Sequence, residues 1–199
     1  AFKFRFFDEV QEAKKILDKG SLGKILNFRV MVGGQADMKG TWFADKALSG
    51  GGVIMDNGPH AFDLLRYLAG DVEHVQAQVS LAQNLSVEDT AHVACRLKAG
   101  GCGTVDISWT VPTPSKTYCE IYGEEGTLLL DFTGLTYKFK TWDEYKTIPN
   151  KASNKEAFNR QIDHFVNAVG GAAISVVNNQ DGLKTQELID SAYRSLHQH

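Results

Sequence analysis

Ala91-His92-Val93-Ala94-Cys95-Arg96-Leu97-Lys98-Ala99-Gly100-Gly101-Cys102-Gly103-Thr104-Val105-Asp106-Ile107-Ser108-Trp109 is the stretch on which the fold turns. Ala91, Val93, Cys95 and Leu97 alternate with His92, Arg96 and Lys98. After the glycines, Val105, Ile107, Trp109 and Val111 alternate with Thr104, Asp106, Ser108 and Thr110. A period of two belongs to a strand with one apolar and one polar face. Gly100-Gly101 between the two runs predicts a hairpin turn.

The same period extends in both directions. Val75, Ala77, Val79 and Leu81 alternate with Gln76, Gln78 and Ser80. Residues 118–122, 127–132 and 135–140 continue it, with turns at Gly123-Glu124-Glu125-Gly126 and at Thr133-Gly134. Six or more strands joined by short turns predict a mostly antiparallel sheet. Its apolar face needs helices over it. Its Thr-, Ser- and Gln-rich face meets water or a partner.

Helical patterns lie on either side of these strands. Residues 8–19 place Val10, Ala13 and Leu17 on one stripe, with Asp8 to cap the start and Gly20 to stop it. Ser153-Asn154-Lys155-Glu156 has capping-box spacing. It opens a helix whose apolar face is Phe158, Ile162, Phe165, Val166 and Val169. After Asn178-Asn179 a last helix carries Leu188, Ile189, Ala192, Tyr193 and Leu196. Near the start, Phe2, Phe4 and Phe6 alternating with Lys3 and Arg5 read as a strand. Residues 25–32 read as another, with Leu26, Phe28, Val30 and Val32 on one face. Residues 33–49 have no period and form a long loop carrying Trp42 and Phe43. The layout is α+β: a large, open, mostly antiparallel sheet with helices on one face.

That loop leads into Gly50-Gly51-Gly52-Val53-Ile54-Met55-Asp56-Asn57-Gly58-Pro59-His60-Ala61-Phe62-Asp63, where two carboxylates and an imidazole fall close together. On a helix, Asp56 and His60 are four apart and share a face. Pro59 predicts a kink or restart at Gly58-Pro59. Ala61, Phe62, Leu64, Leu65, Leu68 and Ala69 form the apolar stripe; His60, Asp63 and Tyr67 fall opposite. That polar side is either a solvated face or a site. The glycine triplet favours close approach of a ligand or another backbone. His60 has the side chain suited to proton transfer near neutral pH, with Asp56 near enough to hold its tautomer.

Composition bounds what the chain can do. At 199 residues it is long enough for one large domain, and its formal net charge of -3 offers no basic field for nucleic acid. No apolar run approaches the length of a membrane span. The three cysteines, Cys95, Cys102 and Cys119, have no CxxC spacing. They predict neither a disulfide framework nor zinc, and point to a reducing, cytoplasmic setting. Asp56, His60 and Asp63 could imitate a metal site, but no second histidine stands at helical spacing, so none is expected. G-x-G-x-x-G and G-x-S-x-G are both absent, so the chain itself has no predicted nucleotide cradle or serine nucleophile.

Several of these motifs together resemble a known family. Trp42, Asp45 and Ser49-Gly50-Gly51-Gly52 are followed by Asp56-Asn57-Gly58-Pro59-His60, Asp63 and Tyr67-Leu68-Ala69-Gly70. Gly20-Ser21-Leu22-Gly23-Lys24-Ile25, Ser108-Trp109, Ile121-Tyr122-Gly123-Glu124-Glu125-Gly126-Thr127, Asp181-Gly182-Leu183 and Ser191-Ala192-Tyr193-Arg194-Ser195 complete the pattern. It is similar to the C-terminal domain of the glucose–fructose oxidoreductase, inositol dehydrogenase and MocA (Gfo/Idh/MocA) family. The resemblance implies an open sheet like that of the C-terminal domains of dihydrodipicolinate reductase and glyceraldehyde-3-phosphate dehydrogenase. It implies NAD(P)-dependent oxidation or reduction of a sugar, inositol or related polyol, with His60 as base and Asp56 assisting. It makes Arg5, Trp42, Asn57 and Asp63 substrate-binding candidates, and the open sheet face a homo-oligomer contact.

Family members carry an N-terminal Rossmann domain with the glycine fingerprint and a Glu-Lys-Pro motif, and neither occurs here. The chain is therefore expected to be the substrate-binding and oligomerisation half, residues 1–199, with NAD or NADP bound mainly by the missing domain. The rival reading is a non-catalytic sugar-binding or dimerisation module.

Overall fold

The computed structural model describes residues 1–151 and 153–197. Among them β1 (Ile25–Gly33), β2 (Val72–Ser80), β3 (Thr90–Leu97), β4 (Cys102–Ser108), β5 (Thr117–Gly123), β6 (Gly126–Asp131), β7 (Gly134–Phe139) and β8 (Lys146–Pro149) form one sheet. Its order is β2-β3-β4-β1-β5-β6-β7-β8. Every pairing is antiparallel except that of β1 with β4. The hairpin read from Gly100-Gly101 joins β3 to β4 with Val93 opposite Val105. Both glycines take positive φ, +88° and +87°, which suits a residue without Cβ.

The helices are α1 (Asp8–Asp18), α2 (Lys46–Ser49), α3 (Val53–Asp56), α4 (Gly58–Ala69), α5 (Asn154–Val169) and α6 (Asn179–Ser195). α4 lies against β1 and β4, α1 against β6 and β7, and α6 against β2. Between these helices and the sheet sit Phe28, Phe62, Leu64, Leu65, Leu97, Ile107, Ile121, Leu128 and Leu130, each essentially removed from water. Full burial of one such side chain contributes roughly 1.5–3 kcal/mol. Cys95 and Cys119 belong to this core, and all three cysteines are free. Burial pushes the Cys95 thiol up to about 12. On the opposite face Gln76, Gln78, His92 and Arg96 are exposed. There Asp106 accepts from His92 Nδ1 at 2.6 Å and from Arg29 Nε at 3.4 Å. No helix among the described residues is long and apolar enough to cross a membrane.

Local expectations needed correction where tertiary contacts outweighed the alternation. The opening run is a 3₁₀ turn at Lys3–Phe6, not a strand. Phe4 and Phe7, three apart, both enter the core, a spacing that the three-residue turn brings to one side. Leu26 is exposed rather than aligned with Phe28, because the register shifts between Ile25 and Asn27. Val79 and Leu81 are exposed as well. The edge strand β2 is covered only as far as the end of α6, where Ser195 Oγ accepts the Ala77 amide at 2.8 Å. Asp8 does not cap α1; it pairs with Arg160 at 2.6 Å.

The capping box of α5 forms as expected between Ser153 and Glu156. The apolar stripe behind it is not buried: Phe158, Ile162, Phe165, Val166 and Val169 are 47–74% exposed. α5 is anchored by its other side. Ala157 is buried, and Arg160 Nη2 donates to the carbonyl of Phe6 at 2.7 Å.

Candidate active site

The Gly50 to Asp63 stretch folds as the single turn α3, a break at Asn57 and a restart as α4. Pro59 falls in the first turn of α4, where a missing amide hydrogen costs nothing. The glycines before α3 are filled by the protein's own atoms. A Cβ on Gly52 would lie 1.9 Å from the Glu88 carbonyl oxygen, and one on Gly51 would lie 2.0 Å from the Tyr193 hydroxyl. The close approach inferred from the triplet is thus of backbone and side chain within the chain.

His60, in the first turn of α4, lines a cavity of about 280 Å³ with Asn57, Lys3, Phe4, Met31 and Tyr118. The ring is half-buried and lies 6.1 Å from the Phe4 ring. Its Nδ1 is buried with no hydrogen-bond partner among the described residues. Burial first, then the charge of Lys3, holds His60 below the ordinary histidine range, while the charge of Asp56 pulls the other way. The charged imidazolium is therefore disfavoured relative to the neutral ring, which is the form able to take a proton.

Asp56, the last residue of α3, accepts from Trp109 Nε1 at 3.0 Å. The hydrogen bond to His60 suggested by the spacing is not made, so Asp56 acts on the ring only as a nearby charge. Asp56 lines a smaller cavity, about 150 Å³, with Trp42, Phe43 and Met55. Trp42 is 55% exposed and stacks on Phe43 with centroids 3.9 Å apart.

Arg5 and Asp63 satisfy each other instead of opening on the His60 cavity. Arg5 donates to Asp63 through Nη2 at 2.6 Å and Nε at 3.0 Å. It also pairs with Asp181 at 3.1 Å and bonds the Val176 carbonyl at 2.6 Å. Asp63 is 1% exposed, and burial pushes its carboxyl up even beside Arg5. The solvated polar face considered for α4 is thus a buried clamp between the 3₁₀ turn, α4 and the start of α6. The candidates divide into His60 with Asn57, Asp56 with Trp42, and Arg5 with Asp63. Among the described residues no group of three or more His, Cys, Asp or Glu could hold a metal ion.

Lys3, Tyr118, Trp109 and Glu88 were missed by sequence reasoning. Trp109 carried one usable signal: an indole N–H on an apolar strand face needs an acceptor. Glu88 carried none.

The family model for the GFO/IDH/MocA C-terminal domain matches residues 10–129. The chain belongs to the GFO/IDH/MocA family. As a GFO/IDH/MocA C-terminal domain it is 25% identical over 193 residues to the scyllo-inositol 2-dehydrogenase (NAD(+)) of Bacillus subtilis, across 90% of this chain and 54% of that protein. It is 28% identical over 136 residues to the myo-inositol 2-dehydrogenase of Thermotoga maritima, across 65% of this chain and 40% of that one. The chain thus spans about half the length of the curated relatives it matches. A solved levoglucosan dehydrogenase in complex with NADH and levoglucosan shares the fold, with TM-score 0.89 and 22% identity over 98% of this chain and 62% of that one.

Proposed function

We propose that this GFO/IDH/MocA domain is the substrate-binding and oligomerisation half of an NAD(P)-dependent dehydrogenase of a sugar, inositol or related polyol. The observation that carries the reading is the placement of His60: a half-buried imidazole on a cavity that also offers Asn57 and Lys3. In this reading His60 takes the proton of the substrate hydroxyl. Lys3 and Asn57 hold neighbouring oxygens, and Asp56 stabilises the imidazolium as it forms. The exposed Trp42 offers a flat apolar surface for the C–H face of a ring.

The chain's residues do not fit the dinucleotide itself. Its glycine run before α3 is packed against Glu88 and Tyr193, which leaves no cradle for a pyrophosphate. A separate nucleotide-binding domain of the parent polypeptide would hold it, and the nicotinamide supplies the hydride acceptor. NAD is favoured over NADP because the relatives' names specify NAD(+) and NADH. The polar sheet face around His92, Arg96 and Gln78 is the proposed contact between copies.

The test is NADH formation by the parent polypeptide on scyllo-inositol, myo-inositol, levoglucosan and common aldoses, beside its His60→Ala variant. We expect activity on at least one polyol and a loss of about 10²–10⁴-fold in kcat for the variant, the usual worth of a positioned base. Undiminished turnover by the variant would remove His60 from the role. Nucleotide binding with no polyol oxidised would favour the binding-module reading.

A further inference from the structure

We infer that Glu88 is the positioning residue that sets Asp56 in the site; the inference rests on the reading of Asp56 given above. α3 is one turn long, and Asp56 is its last residue. A single turn has no stability of its own, because fixing its backbone outweighs the hydrogen bonds it closes. Its N-cap is Gly52, which has no side chain to satisfy the free amides. Glu88 supplies what the cap lacks. Its Oε1 accepts from the amides of Gly52 at 3.0 Å and Ile54 at 3.1 Å, and its carbonyl accepts the Val53 amide at 2.8 Å. Tyr193, from α6, donates to the same Oε1 at 2.7 Å.

The next residue completes the arrangement from the other side. The carbonyl of Asp89 accepts the Trp109 amide at 2.8 Å, and the Trp109 indole donates to Asp56. One dipeptide, Glu88-Asp89, therefore holds both the turn that carries Asp56 and the residue that bonds it. Glu88 is 8% exposed and lines neither the His60 cavity nor the Asp56 cavity, so it acts through Asp56 and not on a substrate. The Gly51-Gly52 pair follows from the same packing, since a Cβ at either position would occupy the space of Glu88 or Tyr193.

The test reads the Trp109 indole Nε1–H by NMR in the 199-residue chain. Asp56→Ala calibrates the signal of an indole without its acceptor. Glu88→Ala should move the Trp109 signal toward that position and speed its hydrogen exchange roughly tenfold or more, the scale of a hydrogen bond to a charged group. Glu88→Gln keeps an oxygen acceptor at the same place and should return both readings toward the parent. If Glu88→Ala does not fold, Tyr193→Phe, which loosens Glu88 without removing it, should give a smaller shift of the same sign. An unmoved indole in a folded Glu88→Ala chain would overturn the inference, as would Glu88→Gln behaving like Glu88→Ala. In the parent polypeptide Glu88→Ala should lower kcat about 10²-fold, the scale of a misplaced catalytic group, with less effect on KM. Turnover that survives His60→Ala defeats the site reading and leaves the indole result standing, so the two failures are distinguishable.

Discussion

At the scale of single residues, the molecule uses burial to move protons. Burial disfavours the imidazolium of His60 and the carboxylate of Glu9. Glu9 is 1% exposed, its Oε1 accepts from the Tyr118 hydroxyl at 2.6 Å, and its Oε2 has no partner among the described residues. Burial pushes its carboxyl above the ordinary glutamate range. The folded chain then keeps the proton at pH values where the unfolded chain has lost it. Stability from this group is fully present below the unfolded pKa and falls as pH rises through the folded one. Glu9→Gln should remove that decline while leaving the Tyr118 bond an acceptor. Urea denaturation at several pH values from 4 to 7 checks it, and an equal pH dependence of stability in the two proteins would count against a raised Glu9 carboxyl. None of this was legible in the sequence, where Glu9 reads as one more polar residue on the first turn of a helix. Arg5 and Asp63 were picked out, but as substrate contacts. Their partners stand 58 and 176 positions from Arg5, beyond any local pattern.

At the scale of elements, patterns with a period were legible and contacts without one were not. The β3–β4 hairpin, the start of α5 and the restart of α4 at Gly58-Pro59 each follow from residues within one turn of one another. The 3₁₀ turn at Lys3–Phe6 and the bulge before Asn27 depend on what the segment meets after folding. The glycine triplet lies between: its need for space was readable, its occupant was not. Gly52→Ala tests that occupant. The added methyl has nowhere to go but into the Glu88 backbone, and overpacking of this kind costs about 1–3 kcal/mol. A lower urea midpoint at unchanged slope is expected. A midpoint equal to that of the parent would mean that α3 and Glu88 are not so closely joined.

At the scale of the whole molecule, the two terminal helices do different work. α6 buries Thr185, Ile189, Ala192 and Ser195 against the rest of the chain. α5 leaves its Phe158, Ile162, Phe165, Val166 and Val169 stripe outside. Hydrophobic period alone therefore located both helices and the apolar face of each, but not which of those faces the chain itself covers. Ile189→Ala should cost about 2–5 kcal/mol, as a large-to-small change in a core does. Ile162→Glu should stay within about 0.5 kcal/mol of the parent, as surface substitutions do. Thermal melts of the two variants compare them directly, and a large loss for Ile162→Glu would show the stripe to be buried in the folded chain. The α+β architecture was legible because so many strands repeat one period, and the family because its motifs occur in order along the chain. The central claim is that His60, its charged form disfavoured by burial, is the base. The pH dependence of kcat/KM for the parent polypeptide and its His60→Ala variant tests it most directly. We predict an acid limb whose midpoint lies below the ordinary histidine value of about 6.5, and its disappearance in the variant. The same limb, with undiminished turnover, in His60→Ala would contradict the account.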